Sequence, residues 1–347
     1  MAPSTHTAAV INEKGDVEVK KIAVPKIGEG EVLVKVAAAA LNPTDWKSAK
    51  KFTQVGAVSG CDFAGVVEEL GPGAEAAGVK VGDRVATFVA GGRTPNGAYA
   101  EYLVAKANFL IRLPESWTFE QGAQLGIAIY TTFQTLYESQ GLPTPLAVTS
   151  EGIPLLVYGA SSAVGLYVVQ IAKAAGLKVF ALCSPKNFDL VKSFGADETY
   201  DYRDPEAGSK IKAASGDKIQ AAVDTISEHG SVNIIVSALS SEGGKISAIL
   251  PYSNEAKAAL GSKYSVNFSL AYDLIVDRPN APSRQGDAPK YSKLATQLLA
   301  SGKVKPTPIR VWEKGLEGVN EAFQYMIDGK VSGEKIIFRI ADTPGLA

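Results

Sequence analysis

The stretch with the clearest chemical potential runs Gly159, Ala160, Ser161, Ser162, Ala163, Val164, Gly165. Apolar Leu155, Leu156 and Val157 precede it and read as a buried strand, while Val164, Val168, Ile171 and Ala175 recur behind it at helical spacing. Strand, tight turn and helix in that order form the phosphate-binding half of a dinucleotide fold. The turn needs small residues because a pyrophosphate lies against its backbone amides at the helix N-terminus. The G-x-G-x-x-G pattern is eroded here, with Ala160, Ser162 and Gly165 in its glycine positions, so the turn alone is a weak signal.

The next strand adds to it. Gly176 ends the helix, and residues 177–183 form a second apolar run. At its end, about 20 residues past the turn, an NAD site places an acidic residue on the ribose 2′-hydroxyl. This chain has Ser184, Pro185, Lys186 and Asn187 there. A hydroxyl, an ammonium and an amide suit a 2′-phosphate that a carboxylate would repel. NADPH is therefore the expected cofactor.

The elements around these residues fall into two textures. Up to about Phe119 the chain reads as short strands punctuated by glycine, for example 31–36 and 65–71, which implies a small β-barrel-like domain. Residues 120–137 carry helical periodicity, and from 152 to about 250 strands alternate with helices, which implies a doubly wound parallel sheet. The fold class is α/β. Residues 277–289 read as a loop, and 334–340 return to extended texture.

Composition narrows the function classes. A length of 347 residues suggests two domains with ample core. With 35 basic against 36 acidic residues, no nucleic acid and no anionic membrane surface is expected as a partner. No apolar run approaches the roughly 20 residues needed to span a bilayer. The first residues lack the basic flank and apolar core of a secretory signal, and only two cysteines, Cys61 and Cys183, are present. A reducing, cytoplasmic location is expected.

Several phrases taken together resemble the medium-chain dehydrogenase/reductase superfamily: residues 60–67 (GCDFAGVV), 81–85 (VGDRV), 96–102 (NGAYAEY), 192–197 (KSFGAD) and 332–335 (SGEK). The resemblance implies a GroES-like β-barrel catalytic domain at 1–122 and a Rossmann NADP-binding domain at 123–305. A C-terminal segment, 306–347, would rejoin the catalytic domain. Residues 41–47 (LNPTDWK), 157–159 (VYG), 183–190 (CSPKNFDL) and 201–203 (DYR) are most similar to the fungal trans-acting enoyl reductases that work with polyketide synthases. That similarity carries Ser161, Ser162, Ala163 and Val164 to the pyrophosphate, and Ser184, Pro185, Lys186 and Asn187 to the 2′-phosphate. Tyr202 would lie against the adenosine. Thr44, Asp45, Trp46, Lys47, Ile249, Leu250, Val331 and Ser332 would approach the nicotinamide end.

Zinc-dependent relatives take one ligand from a Cys near Asn42-Pro43 and another from a His in a Gly-His-Glu phrase. Here that phrase is Gly60-Cys61-Asp62, and both histidines, His6 and His229, lie far from it in sequence. Cys61 with Asp62 gives two ligands where a catalytic zinc needs about three, so no metal is expected and Cys61 reads as a small buried hydrophobe. Without a metal Lewis acid an alkoxide lacks its stabiliser. A hydride can still reduce a polarised carbon–carbon double bond, its charge moving to a distant carbonyl held by hydrogen-bond donors.

Motif context makes Lys47 the first catalytic candidate, orienting the nicotinamide or ribose or donating a proton. Thr44, Asp45 and Trp46 would wall the same pocket, although Trp46 is equally readable as core. Thr131, with Tyr130 and Thr132, is expected at the start of a helix, where its hydroxyl holds the carboxamide or merely caps the helix. Tyr130 and Tyr137 are candidate proton donors or substrate-wall aromatics. Residues 266–270 and the 277–289 loop are expected to shape the acyl pocket. The expected activity is NADPH-dependent, metal-independent reduction of an enoyl thioester or enone, small or carrier-bound. A quinone reductase and a catalytically silent NADPH-binding partner protein are the alternatives. A polyketide synthase is the implied partner, and monomer and homodimer both remain open.

Overall fold

The computed structural model describes residues 3–277, 279 and 283–346. Contacts divide the chain into two compact units, one holding residues up to Ile127 and from Tyr272 onward, the other Ala128–Ala271.

The first unit opens with β1 (Thr5–Ile11) and β2 (Val17–Ala23), an antiparallel pair in continuous register from Thr5↔Ala23 to Ile11↔Val17. Next come β3 (Glu31–Ala40), β4 (Asp62–Leu70), β5 (Arg84–Phe88), β6 (Tyr102–Lys106) and β7 (Ile111–Arg112). The second unit holds β8 (Pro154–Tyr158), β9 (Lys178–Cys183), β10 (Glu198–Asp201), β11 (Ala221–Asp224), β12 (Gly244–Ala248) and β13 (Tyr264–Phe268). The chain then returns to the first unit with β14 (Ile309–Trp312) and β15 (Lys335–Arg339).

In the first unit the sheet runs β14-β15-β3-β4-β5-β7, with β6 also on β3. The late strand β15 lies beside β3, Ile337 opposite Ala40, while Asp62 of β4 faces the same Ala40 from the other side. Val34, Phe63, Tyr99 and Phe338 are buried in one core.

In the second unit the order is β10-β9-β8-β11-β12-β13, every pairing parallel. Strands covered on both faces read as continuous apolar runs, and Leu155, Leu156 and Val157 of β8 are fully buried. Chain order reverses between β8 and β11, the place where open α/β sheets bind ligands at their carboxyl ends.

Three expectations differ from the structure. The second division falls at 271/272 rather than 305/306, because the helix Ala288–Ala300 packs on β7 and on the turn Ala107–Phe109 in the first unit. The periodic stretch 120–137 is broken into Phe119–Ala123, Gly126–Phe133 and a wide turn Gln134–Ser139. Helix also begins within the 277–289 loop, at Ala288; residues 278 and 280–282 of that loop lie outside the described residues.

Candidate functional site

In the second unit, the turn after β8 is built as the sequence suggests, but its hydroxyls divide their work. Ser162 is the N-cap of the helix Ala163–Ala174: its hydroxyl accepts from Gly165 N at 2.9 Å and pairs with the Thr225 hydroxyl at 2.9 Å. Thr225 in turn donates to the carbonyls of Tyr158 and Gly159, tying the end of β11 to the end of β8. A Cβ on Gly165 would stand 2.3 Å from Gly159 O, so helix and turn touch where only glycine fits. The half-buried Ser161, Ala163 and Val164 leave this turn a small-residue cradle at a helix N-terminus, a fit for a pyrophosphate.

After β9, Pro185–Asn187 forms a short turn. Asn187 is buried and donates its Nδ2 to Ser161 Oγ at 3.1 Å, locking this turn to the previous one. Pro185 and Lys186 are exposed and Ser184 half-buried. Tyr202 is 40% exposed, its ring 6.4 Å from that of Tyr158, with the Arg203 guanidinium 5.7 Å from its centroid. Arg203 forms a two-pronged pair with Asp201 at 3.0 Å.

Beyond β11, Asp224 accepts from Ile226 N, Ser227 N, the Ser231 hydroxyl and the Tyr252 hydroxyl. Ser227 sits at φ 60°, a left-handed conformation uncommon for a non-glycine residue. There its hydroxyl accepts from Ile249 N at 3.1 Å and Leu250 N at 3.3 Å. It thus fixes the backbone of the half-buried Ile249 and Leu250.

In the first unit, the short helix Pro43–Lys47 carries Thr44, Trp46 and Lys47 half-buried, while Asp45 points inward. Lys47 Nζ lies 5.7 Å from the centroid of the Trp46 ring, and Trp46, half-buried, leans on the core. Asp45 Oδ2 accepts from Asn42 N at 2.7 Å and from the Tyr99 hydroxyl at 2.9 Å. Its Oδ1 has no hydrogen-bond partner by geometry among the described residues. Burial, eased by hydrogen bonding to the Cys61 thiol, pushes the Asp45 carboxyl up to about 6.

Cys61 is fully buried, and its Sγ lies 2.9 Å from the Tyr272 hydroxyl, which lies 3.0 Å from Thr44 Oγ1. Burial, and then the Asp45 charge, raise the Cys61 thiol well above its ordinary range. Burial and then Cys61 do the same to Tyr272. Tyr272 packs edge-on against Phe88, with Arg93 4.8 Å from its ring centroid. Beside this group, Asp62 is fully buried, takes Ile127 N on Oδ1 at 2.8 Å and faces Lys335 Nζ at 3.4 Å. Lys335 also donates to Asn42 Oδ1. Burial raises the Asp62 carboxyl, and Lys335 opposes that rise.

Asp62 also explains where the next helix starts. Its carboxylate holds the first turn of Gly126–Phe133, and a Cβ at Gly126 would stand 2.2 Å from Asp62 Oδ1. Thr131 therefore lies inside the helix and is buried, not at its start as expected from the sequence. Tyr130 is fully buried on the same helix, and Tyr137 stacks on Phe133 at 5.6 Å. Val331 packs on the core of the first unit, and Ser332 beside it is half-buried. Sequence reasoning missed Tyr272, Tyr99 and Lys335 as members of this group. Lys335 did close the recurring phrase at 332–335, but nothing local marks Tyr272.

A parallel sheet in the 3-2-1-4-5-6 order of its own strands, with a small-residue phosphate turn after its first strand, defines a dinucleotide-binding protein; the chain's other unit, the first, is strand-rich. Residues 28–115 match the alcohol dehydrogenase GroES-like domain, and residues 163–257 match the zinc-binding dehydrogenase model. The trans-enoyl reductase ACTTS2 of Alternaria alternata is 39% identical over 343 residues, 97% of this chain and 99% of that protein. The trans-enoyl reductase eqxC of Fusarium heterosporum is 36% identical over 354 residues, covering 98% and 100%. Among solved structures, an alcohol dehydrogenase superfamily protein from Novosphingobium aromaticivorans matches with a TM-score of 0.82 at 22% identity, covering 96% and 99%. The CurK enoyl reductase matches with a TM-score of 0.78 at 20% identity, covering 96% and 98%. The chain belongs to the medium-chain dehydrogenase/reductase superfamily, in its enoyl reductase branch. That family is one of oxidoreductases working with a nicotinamide cofactor.

The family name raises the question of zinc. The residues present do not fit one. Among the described residues no group of three or more His, Cys, Asp or Glu could hold an ion. The Cys61 thiol is bound to Tyr272 and kept protonated by burial, and Asp62 is committed to Lys335 and Ile127 N. No helix among the described residues is long and apolar enough to cross a membrane.

Proposed function

We propose that this protein is an NADPH-dependent reductase of activated carbon–carbon double bonds, acting on an enoyl thioester or enone presented by a polyketide synthase in the cytoplasm. The observation that carries this reading is the donor set around Thr44: its own hydroxyl, the Tyr272 hydroxyl and a protonated thiol, with no three-ligand set for a metal among the described residues. Such donors suit a charge that develops on a carbonyl oxygen remote from the reacting carbon. The relatives' name, trans-enoyl reductase, supports the same chemistry.

When bound, the reduced nicotinamide supplies the hydride. Backbone amides at the Ser162–Gly165 helix start hold its pyrophosphate, with Ser161 alongside; the Ser162 hydroxyl, spent on its cap, shapes the turn instead. Ser184 and Lys186 take the 2′-phosphate. Asn187 sets their position through Ser161. Tyr202 offers its exposed face to the adenine. Ile249, Leu250, Val331 and Ser332 border the nicotinamide end, and Lys47 orients the ribose or the substrate carbonyl.

The test is a spectrophotometric assay of NADPH oxidation against enoyl thioesters, enones and quinones, run in parallel with NADH and with a chelator present. Turnover of an enoyl thioester or enone, preferring NADPH and indifferent to chelation, is expected. Exclusive turnover of quinones, tight NADPH binding with no acceptor turned over, or inactivation by the chelator would overturn the proposal.

A further inference from the structure

Hydride transfer needs its two carbons held at near contact, so whatever fixes the nicotinamide end of a cofactor site against its pyrophosphate end controls the rate. In the second unit one short segment, residues 224–227, reaches both places. It is the tail of β11, where the strand order reverses and open α/β sheets bind their ligands. On the pyrophosphate side, the buried Thr225 donates to the carbonyls of Tyr158 and Gly159 and accepts from the Ser162 hydroxyl at 2.9 Å. The packing there is close: a Cβ on Gly159 would stand 2.5 Å from Thr225 Oγ1 and 2.7 Å from Ile226 Cγ1. On the other side, residues 249–252 are clamped at both ends. Ser227 Oγ accepts from Ile249 N and Leu250 N, and Asp224 O accepts from Ile249 N at 3.3 Å. The Tyr252 hydroxyl then donates to Asp224 Oδ2 at 2.7 Å.

We propose that the β11 tail is a spacer that holds the backbone of Ile249 and Leu250 at a set distance from the pyrophosphate turn, with Ser227 as the positioning residue for the nicotinamide ring. The inference rests on the cofactor binding and reductase function proposed above. Ser227 sits at φ 60°, a conformation that costs energy for any residue with a side chain and that glycine adopts freely. What serine adds there is a hydroxyl, and that hydroxyl is fully used. It donates to Asp224 O at 3.1 Å and accepts from the two amides of 249 and 250. Ser227 therefore acts on a bound cofactor only through the backbone it holds.

Asp224 keeps the tail in this shape. Its fully buried carboxylate takes Ile226 N at 3.0 Å and Ser227 N at 2.8 Å on one oxygen. The other oxygen takes the hydroxyls of Ser231 and Tyr252. Four donors around one carboxylate over-determine the turn, which is the condition for a strained residue to persist. The division of labour then has a kinetic signature. Affinity for NADPH comes mainly from the two phosphate-binding turns, which Ser227 does not touch. Alignment of the ring depends on 249–250, and a misplacement of about 1 Å can slow a reaction on the order of a hundredfold.

The test compares Ser227→Gly and Ser227→Ala with the unchanged protein. Both remove the hydroxyl, but only glycine relieves the left-handed backbone, so the two separate the hydroxyl's role from the turn's. If Ser227→Ala fails to fold, Ser227→Gly carries the test alone. The first readout needs no cofactor: hydrogen exchange at the Leu250 amide, followed by mass spectrometry, should quicken about tenfold in both variants, the scale of one lost hydrogen bond. The second is binding: NADPH Kd, read by fluorescence, should stay within threefold, while the emission of the bound nicotinamide changes. The third is rate: kcat with an enoyl thioester should fall at least tenfold in both. The isotope effect with NADPH deuterated at the transferred position should grow, as the hydride step becomes limiting. Unchanged exchange at Leu250, a normal kcat in Ser227→Gly with a slow Ser227→Ala, or losses of affinity equal to the losses of rate each overturn the spacer. An unchanged protein that reduces no unsaturated carbonyl, with exchange and bound-NADPH emission responding as expected, overturns the proposed reductase function and leaves the spacer standing.

Discussion

Asp45 and Lys47 are neighbours in sequence with opposite fates, one sealed in the core and one at its edge, and their physics differs accordingly. The folded-state value of Asp45, about 6, lies above its ordinary 3.8, so the native protein binds more protons than the unfolded chain between those values. Its favourable contribution is therefore complete below pH 3.8 and is lost as pH rises through 6. Asp45→Asn keeps the shape and removes the charge. Its stability relative to the unchanged protein should improve between pH 4 and pH 7.5, by on the order of 2–3 kcal/mol from the size of the shift, as read by urea unfolding at the two pH values. A difference independent of pH would show that Asp45 does not titrate in this range. Lys47 is half-buried against Trp46. Lys47→Met should lower kcat at least tenfold and leave the thermal midpoint within about 2 °C, an outcome an ordinary surface lysine would not give. Residue types in the motif at 41–47 announced chemistry, but not which side chains face inward. That depends on Tyr99 and Tyr272, distant in sequence, and no local pattern encodes them.

The turns after β8 and β9 are the elements on which the proposed choice of NADPH rests, and their place in the fold was the most legible part of the chain. Strand–turn–helix spacing alone located both, because a parallel sheet and a helix N-terminus impose that order on any sequence that builds them. Their internal wiring was not legible: the Ser162 hydroxyl caps its helix, and the Asn187 amide is a strut to Ser161. Both polar residues satisfy neighbouring groups first, which spacing does not reveal. Two predictions follow from the wiring. Gly165→Ala would set a Cβ 2.3 Å from a backbone carbonyl that cannot yield. It should cost about 1–3 kcal/mol by the usual scale of overpacking, and NADPH binding measured by fluorescence should fall with it. Ser184→Asp restores the carboxylate that an NAD site carries. It should raise NADPH Kd at least tenfold while NADH Kd falls or holds, and equal losses for both would show that this turn does not read the 2′-phosphate.

At the scale of the whole molecule, the sequence revealed that the C-terminal segment returns to the strand-rich unit but misplaced the point of return. The helix Ala288–Ala300 has ordinary amphipathic texture, and nothing in its composition says which of two units it covers. What fastens the returning chain is a side-chain pair. Lys335 on β15 reaches across the end of β3 to Asp62 on β4 and to Asn42, with both charges shut from solvent. Such a pair adds little over a well-packed apolar replacement of both partners, but breaking one side leaves a buried charge uncompensated, typically at 3–5 kcal/mol. Lys335→Met should therefore destabilise the first unit by about that amount at pH 8. The deficit must also shrink as pH falls. Burial already holds the Asp62 carboxyl above its ordinary range, and Lys335 is the group that opposes the rise. Without Lys335 the folded-state value climbs further, so Asp62's contribution in the variant is present at low pH and lost as pH rises through that value. Urea unfolding at pH 5 and pH 8 reads the difference directly: a deficit much larger at pH 8 is expected, whereas one equal at both values would mean that Asp62 remains ionised without Lys335. Asp62→Asn added to Lys335→Met removes the stranded charge and keeps an acceptor for Ile127 N, and it should recover a large part of the loss at pH 8 and little at pH 5.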